Sequence, residues 1–175
     1  SPALVGTILH RRPAARRGAE ASGMSATLRP YLAADAPALI AIFRTAIEEL
    51  TQEDYSEAQR EAWMASADDE AAFAQRLGAA LTLIAIADGE PAACASLKDK
   101  EHIEFLFVAP GHAGEGLAAL LLDALEKLAR NRGAKKLTTD ASDTALGFFQ
   151  KSGFAVKQRN SVHRHGEWLA NTSLE

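Results

Sequence analysis

The run Ile103-Glu104-Phe105-Leu106-Phe107-Val108-Ala109-Pro110-Gly111-His112-Ala113-Gly114-Glu115-Gly116-Leu117-Ala118 carries the residue types that hold a phosphate. Apolar strand formers end at Val108, glycines crowd the stretch that follows, and helix formers resume at Leu117. The pattern reads as strand, tight loop, helix. The opening N–H groups of a helix have no carbonyl partner within it and sit at the positive end of its dipole. Such a loop is therefore a place for a phosphate or pyrophosphate. A phosphorylated cofactor is the expected ligand.

The elements that must position this loop are legible on both sides of it. After the glycines, Leu117, Leu121, Ala124, Leu125 and Leu128 share one helical face, and Arg130, Arg132 and Gly133 mark the helix end. Before them, Leu81 to Ala87, the turn Asp88-Gly89-Glu90 and Pro91 to Leu97 predict a β-hairpin, with the strand at 103–108 pairing next. Further upstream, Thr27 to Leu32 predicts a strand, and Asp35 caps a helix carrying Leu39, Phe43, Ala46, Ile47 and Leu50. Ser56-Glu57-Ala58-Gln59 is a capping box for a second helix, and Asp68 and Asp69 open a third. Downstream lie a short strand at 137–140, a helix capped by Ser142 and ending at Gly153, and a hairpin about His163-Arg164-His165-Gly166.

Composition narrows the class of protein. A chain of 175 residues that is 47% hydrophobic has material for one domain with a core, here residues 24–175. The net charge is −4, but residues 1–23 hold +3 through Arg11, Arg12, Arg16 and Arg17 against Glu20, which leaves −7 for the rest. An acidic body argues against nucleic acid and mildly favours a cationic acceptor. No apolar run approaches a membrane span, and the lone Cys94 cannot form an internal disulfide, so a cytoplasmic protein is expected. Residues 1–23 show no sustained periodicity and Met24 stands before the first strand. They are expected to be a leader, whether artificially added sequence, upstream-translated sequence or a disordered tail, without a docked face.

Two motifs in this order of elements carry a family resemblance. Phe107-Val108-Ala109-Pro110 running into Gly114-Glu115-Gly116-Leu117-Ala118 matches V-x-P-x-x-[QR]-G-x-G-x-[GA], and Ala145-Leu146-Gly147-Phe148-Phe149-Gln150-Lys151-Ser152-Gly153-Phe154 follows A-x-x-(F/L)-Y-x-K-x-G-F. From about Leu28 to Leu174 the chain resembles the GCN5-related N-acetyltransferase (GNAT) family. The resemblance implies a mixed α/β (α+β) fold: a splayed, mostly antiparallel central sheet flanked by helices. It also implies direct transfer of an acetyl group from acetyl-CoA to a primary amine, of a small molecule or a peptide, with no metal.

Carried over residue by residue, the amides of Gly114, Glu115, Gly116, Leu117 and Ala118 would hold the pyrophosphate. Leu106, Phe107 and Val108 would line the pantetheine, and the amides near Phe107 and Val108 would polarise the thioester carbonyl. Glu104 falls where many members carry a general base, able to take a proton from the incoming ammonium through a water. Strict alternation puts Glu104 on the face of Leu106 and Val108, opposite Ile103, Phe105 and Phe107. The bland alternative is an exposed strand carboxylate. Ser142 occupies the position of a common cofactor-contacting Asn, or is a helix cap only, and Lys151 lies near the nucleotide phosphates or in solvent.

Two departures stand out. Ala113 sits where the family has Gln or Arg, leaving His112 as a candidate substitute. Phe149 sits where the family has a thiolate-protonating Tyr, so the thiolate leaves unaided or Tyr55, His163 or Ser142 supplies the proton. Tyr55 and His163 are also candidates for the acceptor pocket. With these departures, a non-catalytic acyl-CoA-binding sensor or assembly protein is the rival from another class. Gly114 to Ala119 also fits the dinucleotide fingerprint G-x-G-x-x-A, but the strands before it are hairpin-linked instead of helix-linked, which argues against that fold. His102, His163, His165 and Cys94 match no zinc spacing. The acceptor and the oligomeric state, a homodimer included, are not set by the sequence.

Overall fold

The computed structural model describes residues 26–175 and, in backbone, Thr7–Ile8. Strand β1 is Thr7–Ile8 and β2 is Thr27–Pro30; helices α1, α2 and α3 span Ala36–Leu50, Glu57–Met64 and Glu70–Ala79. Then come β3 (Leu81–Ala87), β4 (Glu90–Lys98), β5 (His102–Val108), α4 (Leu117–Asn131), β6 (Thr138–Ser142), α5 (Asp143–Lys151), β7 (Val156–Arg164) and β8 (Glu167–Leu174). The sheet runs β2-β3-β4-β5-β6-β8-β7, with β1 laid on β5. All neighbours along this path are antiparallel except β5 and β6, which are joined through α4 and run parallel. This is the mixed, mostly antiparallel architecture that the family resemblance implied.

Local chemistry accounts for most boundaries. Ser56 Oγ accepts from the Gln59 amide at 3.1 Å while Gln59 Oε1 accepts from the Ser56 amide at 2.8 Å, closing the capping box of α2. The Asp69 carboxylate accepts from Ala72 N–H and caps α3. Asp35 departs from its expected capping role. Its carboxylate turns back to the Leu32 amide and to the Arg29 guanidinium, at 2.7 and 2.8 Å, because an arginine on the adjoining strand is a stronger partner than a neutral amide. The β3–β4 and β7–β8 hairpins each close on two residues with positive φ, Asp88-Gly89 (53° and 78°) and His165-Gly166 (46° and 82°), whose twist suits paired strands.

The sheet separates two apolar layers. On one face, α4 and α5 bury Leu117, Leu121, Leu125, Ala145 and Phe149 against Ile103, Leu106 and Val108. On the other, α1 to α3 bury Leu39, Phe43, Trp63, Phe73 and Leu77 against Phe105, Phe107, Val162 and Leu169. Phe43 is the hub of the second layer, with ring centroids 5.1, 6.2 and 5.6 Å from Phe73, Phe105 and Phe107. Each such pair contributes about 0.5–1.5 kcal/mol beyond area burial.

Candidate active site

Strand β5 does not follow strict alternation. Its pairing with β4 steps from Ser96↔Phe105 to Leu97↔Ile103, so Glu104 is the extra residue of a β-bulge. Ile103 therefore shares the α4–α5 face with Leu106 and Val108, and Glu104 swings to the side of Phe105. The expectation that Glu104 lies on the face of Leu106 and Val108 is corrected by this one-residue insertion. Glu104 is 7% exposed and meets Arg76 of α3, whose Nη2 and Nε donate to Oε1 at 2.7 and 3.2 Å. The same guanidinium carbon lies 5.6 Å from the Phe105 ring centre.

Beside the bulge the sheet opens. Strands β5 and β6 pair only at His102↔Thr138 and Ile103↔Thr139, and beyond Ile103 they part. The backbone of Leu106 and Phe107 on that side pairs instead with Thr7 and Ile8. The side chains of Leu106 and Phe107 are fully buried and that of Val108 nearly so, so what these residues present to the opening is main chain.

Past Val108 the chain makes a short turn at Pro110–His112 and reaches the glycine loop. Gly114 and Gly116 have φ of 79° and 83°, and Gly116 is the left-handed residue immediately before α4. An added Cβ at Gly114 would meet nothing within 4 Å, so its glycine answers to backbone conformation and not to space. Gly114, Glu115 and Gly116 are exposed, while Leu117 is buried and offers only its amide. The amides of Leu117 and Ala118 open the helix without a carbonyl four residues back, and they point with its dipole toward the loop. The Glu115 amide is turned inward to the His112 carbonyl at 3.4 Å. Ala113 contributes no polar side chain. His112, the candidate substitute, spends its Nδ1 on Glu115 Oε2 at 2.8 Å, which leaves a carboxylate at the mouth of the loop.

The remaining candidates separate by burial and by face. Ser142 caps α5, its Oγ accepting from the Ala145 amide at 3.3 Å. Lys151 is exposed in the last turn of α5. Phe149 is fully buried, edge-on to Phe148 and Phe154 at 5.3 and 5.2 Å, and is a packing residue with no exposed surface and no proton to give. Tyr55, expected at the acceptor pocket, is 4% exposed. Its hydroxyl donates to the Ala170 carbonyl at 2.6 Å and accepts from the Asp143 amide at 2.9 Å, and burial pushes its ionisation well above the usual phenol range. It ties the α1–α2 connection to β8 and α5.

His163 is exposed near the tip of the β7–β8 hairpin, its ring tilted against Trp168 at a centroid distance of 4.9 Å. Its neighbour Val162 faces α1–α3, so alternation turns His163 to the opposite face from Glu104. Among the described residues no three His, Cys, Asp or Glu side chains gather as a metal site. No described helix is long and apolar enough to cross a membrane. Sequence reasoning missed Arg76, because helical spacing places it beside Leu77 but says nothing about which carboxylate it meets.

Known proteins share this arrangement. Residues 51–172 match the model of the Acetyltransferase (GNAT) domain. The "Uncharacterized N-acetyltransferase YafP" of Escherichia coli K12 is 32% identical over 144 residues, covering 82% of this chain and 91% of that protein. Among solved structures, the GCN5-related N-acetyltransferase "Aminotransferase, Class-II" of Rhodopseudomonas palustris is 55% identical. It superposes with a TM-score of 0.84 over 87% of this chain and 96% of that one. The PaiA N-acetyltransferase of Thermoplasma acidophilum, solved with coenzyme A, is 20% identical with a TM-score of 0.69, covering 85% and 98%, and shows a likeness of fold. The chain belongs to the GNAT family and is an acyl-CoA-dependent N-acetyltransferase.

Proposed function

We propose that this chain moves the acetyl group of acetyl-CoA directly to a primary amine in the opening between β5 and β6. The observation that carries the reading is the parting of these strands after Ile103↔Thr139. It lies beside the buried Glu104 and one strand length before the amides of Gly114 to Ala118. The loop amides would take the pyrophosphate, and the main-chain edge at Leu106 and Phe107, left uncovered by β6, the pantetheine. Glu104 would accept the ammonium proton, through a water; the amine nitrogen then attacks the thioester carbon, the C–S bond breaks to release thiolate, and the proton that the nitrogen sheds in becoming an amide passes to water. Phe149 has no proton to offer that thiolate and Tyr55 has its own hydroxyl engaged, so no side chain is assigned as its acid. The Arg76 contacts leave Glu104 Oε2 as the oxygen for this work. The acceptor is read as a primary amine, small or peptidic, met by an acidic body in the cytoplasm.

The test is Glu104→Gln, which keeps the shape and removes the proton acceptor. With acetyl-CoA and a panel of amines, kcat is expected to fall by roughly 10²-fold while acetyl-CoA affinity barely moves. Near-normal turnover by the variant would make Glu104 a strand carboxylate only. Acetyl-CoA binding with no turnover of any amine by the unaltered chain would favour the non-catalytic reading.

A further inference from the structure

The edge of β5 that faces the opening is already in use. Strand β4 covers one side of β5 from His102 to Val108, and β6 covers the other only at His102 and Ile103. At Leu106 and Phe107 the open side holds Thr7 and Ile8, in parallel register. These are the main-chain groups that the pantetheine reading requires, and a backbone group engaged by one strand is not available to a second ligand. An exposed sheet edge binds any extended segment that supplies amides and carbonyls at the right spacing, which is the physical basis of strand addition.

We infer that the leader strand Thr7–Ile8 and acetyl-CoA compete for one slot, so the chain carries its own reversible occluding segment. The inference rests on the proposed use of that edge for the co-substrate. Two residues make a short strand, far below the length of an ordinary one, so the contact is weak enough to be displaced and serves as a competitor instead of a permanent plug. Its effect on the ligand follows from occupancy. The apparent dissociation constant rises as the fraction of open slot falls, so a leader in place nine-tenths of the time weakens acetyl-CoA binding about tenfold.

The experiment keeps the full chain and replaces both residues, Thr7→Pro with Ile8→Pro. Proline has no amide N–H and fixes φ near −65°, away from the roughly −120° of a parallel strand, so the pairing is lost. Calorimetric titration with acetyl-CoA should show the apparent Kd falling by about tenfold relative to the unaltered chain. The Thr7→Val, Ile8→Val variant, which keeps the strand-forming backbone, should match the unaltered chain. A synthetic peptide of residues 1–12, added to the proline variant, should raise the apparent Kd again as its concentration rises. An unchanged or weaker affinity in the proline variant, or a peptide without effect, overturns the inference while leaving the acetyltransferase reading intact. Absence of acetyl-CoA binding in every variant overturns that reading, and the competition with it.

Discussion

Replacing Tyr55 by Phe separates a structural tie from a catalytic acid. The hydroxyl lies in a position 4% exposed and serves two main-chain groups, the Ala170 carbonyl at 2.6 Å and the Asp143 amide at 2.9 Å. Without it the Ala170 carbonyl loses its donor, and the first amide of α5 loses its acceptor; a buried group left in this way costs about 1–3 kcal/mol. Ala170 and Asp143 are both partly exposed and water can serve each group in part, so about 2–4 kcal/mol is expected for the pair. In a domain of this size that corresponds to a melting temperature lower by about 6–12 °C. The ring and its contact with Trp63, at a centroid distance of 5.3 Å, survive the change, so no cavity adds to the loss. Urea unfolding followed by tryptophan fluorescence measures the stability, and steady-state kinetics well below the melting temperature measure turnover. The expected result is a large loss of stability with kcat within about threefold, because catalytic interactions and not distant ties set the barrier. A variant that melts normally but loses turnover would refute the reasoning and make Tyr55 the proton donor to the thiolate.

Arg76→Met keeps the stem over Phe105 but leaves the buried Glu104 without its cation. A loss of about 1–2 kcal/mol is expected in the same unfolding assay, discounted because the Arg76 side chain is 40% exposed, and no loss would show the pair to be ornamental. Glu115→Ala removes the carboxylate that His112 holds at the loop mouth, and acetyl-CoA should bind about two- to fivefold tighter at low salt with the gain shrinking at high salt; equal titration curves would refute this. Asp35 is held below the usual carboxylate range chiefly by its hydrogen bonds from Arg29, so its contribution is present above the unfolded value near 4 and is lost as pH falls through the folded one. Asp35→Asn should therefore cost about 1–3 kcal/mol at pH 7 and progressively less at lower pH, as read from unfolding at several pH values; a pH-independent cost would remove Arg29 as the cause.

The parts of this fold that sequence reveals are those governed by neighbours along the chain. Ser56 with Gln59, Asp69 before α3, Ser142 before α5 and the glycines at 114 and 116 each act within four residues, so type and spacing announce them. The apolar faces of α1 and α4 are legible for the same reason. What hides is decided across the sheet. Nothing near Glu104 in sequence marks the bulge, which exists only in register with Ser96 and Leu97. Tyr55 looks like a pocket aromatic until β8 and α5 arrive, more than eighty residues later, to take both sides of its hydroxyl. Residues 1–23 show no periodic face, yet pairing to β5 at Thr7–Ile8 needs only backbone and no pattern of side chains.

The break in the sheet follows from the chemistry proposed for it. The glycine loop feeds α4, which packs on one face of the sheet, whereas Glu104 turns with Arg76 to the face covered by α1 to α3. An intact ladder between β5 and β6 would set a wall of paired main chain between a co-substrate held by the loop and an amine deprotonated at Glu104. Direct transfer requires the nucleophilic nitrogen and the thioester carbon to come within about 3–3.5 Å of each other. On the proposed mechanism the bulge and the parting of the strands would serve this one requirement together: the first would turn the carboxylate toward the acceptor, and the second would open the sheet where the two substrates meet.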